Sequence, residues 1–140
     1  MKPYVRRLAA LLLVLGLWAC GDNTPPRAVA IGEICQQDPG ATIVAEGYLA
    51  LPVSALICRE GQCKIMFYDN AGSVSVEFVA SAQPSPGKLT IPPERYTLDD
   101  LQVMLADGTV ADRTTKVRIT GPVRKPSSGC YLEAYVTERP

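Results

Sequence analysis

Four cysteines, Cys35, Cys58, Cys63 and Cys130, are the residues whose type and spacing most readily do chemistry in this chain. Cys58-Arg59-Glu60-Gly61-Gln62-Cys63 closes a tight loop around a glycine, which suits a local disulfide. Cys35 and Cys130 are then left to join the start of a domain to its last strand. An even set of cysteines in an exported chain reads as two disulfides. The long loop so closed would contribute about 4–5 kcal/mol in the chain-entropy model. The rival chemistry is a four-cysteine zinc site, but such sites use closely spaced pairs, and Cys35 and Cys130 belong to none. No Cys-x-x-Cys occurs, so thioredoxin-like exchange has no support. The chain has no histidine. That removes the commonest general base, the commonest metal ligand and any Ser-His or Cys-His nucleophile pair. No cofactor, no metal and no catalytic activity are expected. A histidine-independent hydrolase would need convergent carboxylates, such as Glu46 and Glu77 on adjacent strands.

A fifth cysteine carries a different message. Lys2, Arg6 and Arg7 precede an apolar run from Leu8 to Ala19, the layout of an export signal. Its 12 residues fall short of the roughly 20 that a membrane-spanning helix needs. Leu17, Ala19 and Cys20 resemble the bacterial lipobox. The resemblance implies that Cys20 is lipidated and becomes the mature N-terminus, held on the extracytoplasmic side of the cell membrane or outer membrane by its acyl chains. Trp18 is bulkier than the lipobox pattern, and a plain cleaved signal is the alternative. The expected organisation is a signal peptide over 1–19, a flexible tether over 20–28 with Pro25 and Pro26, and one domain over 29–140. Without the signal the chain holds 11 basic and 14 acidic residues, a net charge of −3. Nucleic acid is therefore an unexpected partner, since general binders need a net positive field.

The elements that must position these residues read as strands. Ala41 to Leu51 alternates, with Ile43, Ala45, Gly47, Leu49 and Leu51 on one face. Mid-strand Gly47 marks a bend. Lys64 to Asp69 and Ser73 to Val79 alternate around Asp69-Asn70-Ala71-Gly72, predicting a hairpin with Ile65, Phe67, Val74, Val76 and Phe78 inward. Ala80 to Pro93 carries four prolines and reads as a loop that is neither a central strand nor a helix. Leu101 to Leu105 is a short apolar piece. Lys116 to Val123 is a strand with Val117 and Ile119 inward, bent at Gly121-Pro122. Tyr131 to Thr137 is the last strand, with Leu132, Ala134 and Val136 on one face. Val29 to Gln37 is an edge segment or one helical turn. The pattern predicts an all-β sandwich or barrel.

Val44-Ala45-Glu46-Gly47-Tyr48-Leu49, Cys63 to Asp69, Lys116 to Val123 and Cys130 to Val136 resemble the strands of an OB-fold domain of a small bacterial lipoprotein. The resemblance implies an OB-like Greek-key barrel of five to six antiparallel strands. Here Leu101 to Leu105 replaces the helix that many OB-folds carry between strands 3 and 4. Ligands of such barrels typically meet the face of strands 2 and 3. Carried over, that face holds Lys64, Met66, Tyr68, Ser75 and Glu77, extended by Tyr48, Tyr131 and Tyr135. The implied function is a lipid-anchored, non-catalytic binding module for an oligosaccharide, another envelope polymer or a partner protein. The alternative is a structural or accessory envelope lipoprotein without a ligand groove. Arg113, Lys116, Arg118, Arg124 and Lys125 form the one basic concentration, which could meet phosphate or act as a solvated face. Asp99, Asp100, Asp107 and Asp112 match no calcium-loop spacing and suit turns better.

Overall fold

The computed structural model describes residues 24–140. The expected signal, Cys20 and the first part of the expected tether lie outside the described residues. In chain order come β1 (Arg27–Ala28), the 3-10 helix η1 (Ile31–Gln36), β2 (Thr42–Ala50), β3 (Ile57–Arg59), β4 (Gln62–Tyr68) and β5 (Ser73–Ser81). There follow β6 (Leu89–Thr90), the 3-10 turn η2 (Leu98–Asp100), β7 (Val103–Met104) and β8 (Val110–Ala111). β9 (Val117–Arg124), β10 (Tyr131–Glu133) and β11 (Val136–Glu138) end the chain.

Five strands close a barrel. β2 pairs antiparallel with β4, β4 with β5, and β5 runs parallel to β10. β10 pairs antiparallel with β9, and β9 returns antiparallel to β2. This is the Greek-key barrel of the OB-fold. Alternation decides which side chains fill it. Ile43, Ala45 and Leu49 of β2, Ile65 and Phe67 of β4, and Val74, Val76 and Phe78 of β5 are buried, as are Val117 and Ile119 of β9. Those of β4, β5 and β9 were expected inward, and those of β2 were expected to share one face.

Gly47 is where β2 changes partner. It pairs with Val117 of β9, and the next residue, Tyr48, pairs with Tyr68 of β4. A Cβ at Gly47 would stand 2.5 Å from the Tyr68 carbonyl oxygen and 2.5 Å from Ile31 Cδ1. Only glycine lets the strand serve both sides of the barrel at that closeness. The two ends of the barrel are closed differently. η1 buries Ile31 and Ile34 beside the turn that joins β4 to β5, where Gly72 meets Gly32. The segment between β5 and β9 buries Leu89, Leu101, Val103, Leu105 and Ala111 against the same core. It begins by pairing β6 with the far end of β5, through Ala80 and Ser81.

Two expectations are corrected. The last strand is two strands. β10 pairs with β9 at Val123 and Arg124, β11 pairs with it at Arg118 to Thr120, and the chain bulges between them at Ala134 and Tyr135. The bulge reverses the alternation, so Val136 is 43% exposed and Thr137 is 1% exposed. Gly121, opposite the bulge, has the Glu133 carbonyl against its Cα, which leaves no room for a side chain. Second, the proline-rich stretch does contain a strand. Prolines stop at Pro86 and resume at Pro92, and the free amides of Thr90 and Ile91 donate to the carbonyls of Gln102 and Ser81. β6 thus sits between β5 and β7. Before η1, Arg27 and Ala28 run parallel to Ile43 and Val44 of β2.

Both expected disulfides are present. Cys35 and Cys130 join η1 to the start of β10 with Cα atoms 5.8 Å apart, across 95 residues of sequence. Cys58 and Cys63 lie directly opposite each other on β3 and β4, 4.1 Å apart. Two disulfides place the folded domain in an oxidising, extracytoplasmic compartment.

Candidate ligand-binding groove

The outward side chains of β3, β4, β5 and β10 stand in cross-strand rows. Ile57, Lys64, Glu77 and Glu133 form one row, and Met66, Ser75 and Tyr131 form the next. Register alone therefore gathers Lys64, Met66, Ser75 and Glu77 as expected. They floor a groove of about 800 Å³. One wall is the segment between β2 and β3, with Pro52, Ser54 and Ala55, continued by Ile57 and Arg59 of β3. The other wall carries Ser128, Cys130 and Cys35, so the long disulfide is part of the groove lining.

Tyr48 and Tyr68 take a different place. They are cross-strand partners, stacked at 6.0 Å between ring centroids with a 39° tilt, and they do not line the groove. The β2–β4 register carries them beyond its end. Tyr131 sits under Lys64, whose Nζ lies 3.8 Å from the ring centroid. Burial, with the carboxylates of Glu77 and Glu133 nearby, pushes the Tyr131 phenol above its ordinary value. The Lys64 ammonium is shared between that ring and Glu77 Oε2, 3.9 Å away. The groove floor is thus polar and close to charge-balanced, with the Met66 thioether uncovered beside it. Past Glu77 and Gln62 a second depression of about 480 Å³ continues over Val79 and Glu133 towards Pro86 and Lys88. Tyr135 lines that depression and accepts a hydrogen bond from Arg124 Nη2 at 3.3 Å.

Four of the five residues of the basic concentration, all but Lys125, are held in ion pairs among the described residues. Glu46 Oε1 accepts from Arg118 Nε and Nη2 at 3.0 and 2.8 Å, and Lys116 Nζ reaches Oε2 at 3.3 Å. Arg124 pairs with Glu133 at 2.6 Å, and Arg113 pairs with Asp99. Glu46 and Glu77 do not converge: Glu46 stands opposite Arg118 on β9, and Glu77 opposite Lys64 on β4. The aspartates do turn work. Asp100 caps Thr97, Asp107 accepts from the amide and hydroxyl of Thr109, and Asp112 does the same for Thr114. Sequence reasoning missed the groove walls, including Arg59 and Ile57. Their one sequence signal is position, in a cysteine-closed loop next to the second strand of the barrel.

No family model and no curated protein matches the chain. Solved structures do. A hypothetical protein, ygiW of E. coli, superposes with a TM-score of 0.50 at 12% identity, over 81% of this chain and 89% of that one. Telomere capping protein Ten1 of Saccharomyces pombe gives 0.43 at 12% identity over 81% and 80%. The second OB-fold domain of replication protein A from Methanococcus maripaludis gives 0.38 at 14% over 72% and 85%. At such identities the likeness concerns the fold alone; the strand order is that of an OB-fold barrel, and the ygiW structure shares that architecture.

Proposed function

We propose that the protein is a lipid-anchored, extracytoplasmic binding module without catalytic activity. Its ligand, an envelope polymer or a partner protein, lies across the β4–β5 face. The observation that carries this reading is the groove between the β2–β3 segment and the disulfide-bound start of β10, floored by Lys64, Met66, Ser75 and Glu77. A wall cross-linked on each side is preorganised, so less ordering free energy opposes binding. On the floor Glu77 offsets Lys64, which leaves Arg59 as a single cation on the wall, too little positive charge to favour a polyanion such as nucleic acid. The lipid part rests on the sequence around Cys20.

Two measurements test the reading. Mass spectrometry of the Cys20 peptide is expected to show an acyl addition, and Cys20→Ala to release the protein from membranes. A mature N-terminus at another residue would refute the anchor. Immobilised wild-type protein is expected to retain cell-envelope material that a Lys64→Ala/Met66→Glu variant loses by about tenfold. Equal retention by both proteins would refute the groove.

A further inference from the structure

We infer that the outer edge of β3 is a docking site for an extended protein segment, which adds to the sheet as a further strand and offers an acidic side chain to Arg59 and an apolar one to Ile57. This inference rests on the binding-module reading and narrows its ligand to a polypeptide.

The backbone of the β3–β4 hairpin sets the geometry. Glu60 and Gly61 both have positive φ, 52° and 77°, and form a two-residue loop between Arg59 and Gln62. Such a loop is flanked by a pair that exchanges both hydrogen bonds, here Arg59 with Gln62. Hydrogen-bonded and non-bonded pairs alternate along an antiparallel ladder, so Cys58 opposite Cys63 is non-bonded. Their 4.1 Å Cα separation is the close spacing of such a pair. The N–H and C=O of Cys58 therefore point away from β4. β3 ends its side of the sheet, Cys58 is exposed, and its backbone has no other partner among the described residues. An unpaired donor and acceptor at strand spacing form a template for another chain's backbone. A glycan lacks the alternating amide and carbonyl that would match it.

Side chains then select the sequence of the segment. A partner residue opposite Cys58 is flanked by two that meet Ile57 and Arg59 on the groove side of the sheet. Ile57 is 63% exposed, and Val53 in the preceding segment is 90% exposed. Arg59 has no carboxylate within ion-pair distance among the described residues, whereas the other groove cation, Lys64, has Glu77. The complementary segment carries an acidic and an apolar side chain two positions apart. Other edges are poorer templates. β1 and β8 are two residues long, and β11 already accepts the Ala106 amide at the Thr137 carbonyl.

The test is selection of random nine-residue peptides displayed on phage against the oxidised, full-length protein. Enriched peptides are expected to share an acidic and an apolar residue separated by one position. N-methylation of the residue between them is expected to weaken binding at least tenfold, as is Arg59→Glu, checked for an intact disulfide map. Enriched peptides that tolerate N-methylation would overturn strand addition. So would failure to enrich any peptide. If envelope polysaccharide is nevertheless retained in a Lys64- and Met66-dependent way, the groove reading stands and the β3 inference alone falls. If nothing is retained, both fall.

Discussion

The β2–β9 half of the barrel wall and the β3–β4–β5 half have the same alternation inside and opposite finishes outside. On the first, outward charges are paired: Glu46 faces Arg118 in register, with Lys116 on its other oxygen, and Arg124 meets Glu133. Backbone from the neighbouring strands presses on glycine in both β2 and β9, Tyr68 of β4 on Gly47 and Glu133 of β10 on Gly121. On the second, Met66 and Ile57 are left uncovered, Lys64 is shared between a ring and a distant carboxylate, and β3 has a strand on one side only. Inward alternation builds the fold in both halves. What lies opposite each outward residue decides which half is free to bind.

The sharpest way to break this comparison is to put a methyl group into the sealed half. Gly121→Ala would drive a Cβ into the Glu133 carbonyl, which is backbone and cannot move without undoing the bulge. Urea denaturation is expected to show a loss of about 4 kcal/mol or more, or no folded protein at all. Ser75→Ala on the open half is expected to change stability by no more than about 0.5 kcal/mol. Similar costs at both positions would mean that the two halves do not differ in tolerance.

The disulfides sharpen the comparison at the next magnitude. Removing Cys35–Cys130 with paired alanines frees a loop of 95 residues and is expected to cost about 4–5 kcal/mol in the chain-entropy model. Removing Cys58–Cys63, separated by five residues, is expected to cost about 2 kcal/mol. The smaller loss is expected to hurt binding more, because that bridge holds β3 and the groove wall. Thermal melts and peptide affinity on the same two variants check the inversion. Parallel losses of stability and binding would refute it.

The same contrast explains what could be read in the chain beforehand. Inward positions of β2, β4, β5 and β9 follow from a period of two, and Gly47 shows itself as the one residue without a side chain in a long apolar alternation. Pairing of the cysteines follows from one short loop and elimination. The β10–β11 bulge was illegible, because Leu132, Ala134 and Val136 keep the period through the point where the backbone breaks it. β6 was hidden by prolines on either side of a short window that keeps its amides. At the groove, Lys64, Met66, Ser75 and Glu77 were legible from alternation and the OB-fold resemblance. Tyr48 and Tyr68 share their face but pass beyond the groove through a register no periodicity encodes. Arg59 and Ile57 were illegible as groove residues because a three-residue edge strand has no pattern of its own.

The smallest expected effect lies in the ion pairs of the sealed half. Hydrogen bonds from Arg118 and then Lys116 hold the Glu46 carboxyl below its ordinary value of 4.5. A carboxyl depressed in the folded state stabilises above its unfolded value and loses that contribution as pH falls through the folded one. Stability is therefore expected to decline as pH drops below about 4.5, and Glu46→Gln to flatten part of that decline. A remainder persists, because threonine hydroxyls and amides lower Asp107 and Asp112 in the same direction. On the open half, Lys64→Met is expected to shift stability by less than about 1 kcal/mol at any of these pH values. An acid profile unchanged in Glu46→Gln would show that the cross-strand charges are decoration, and that the sealed half owes its closure to the glycine seams alone.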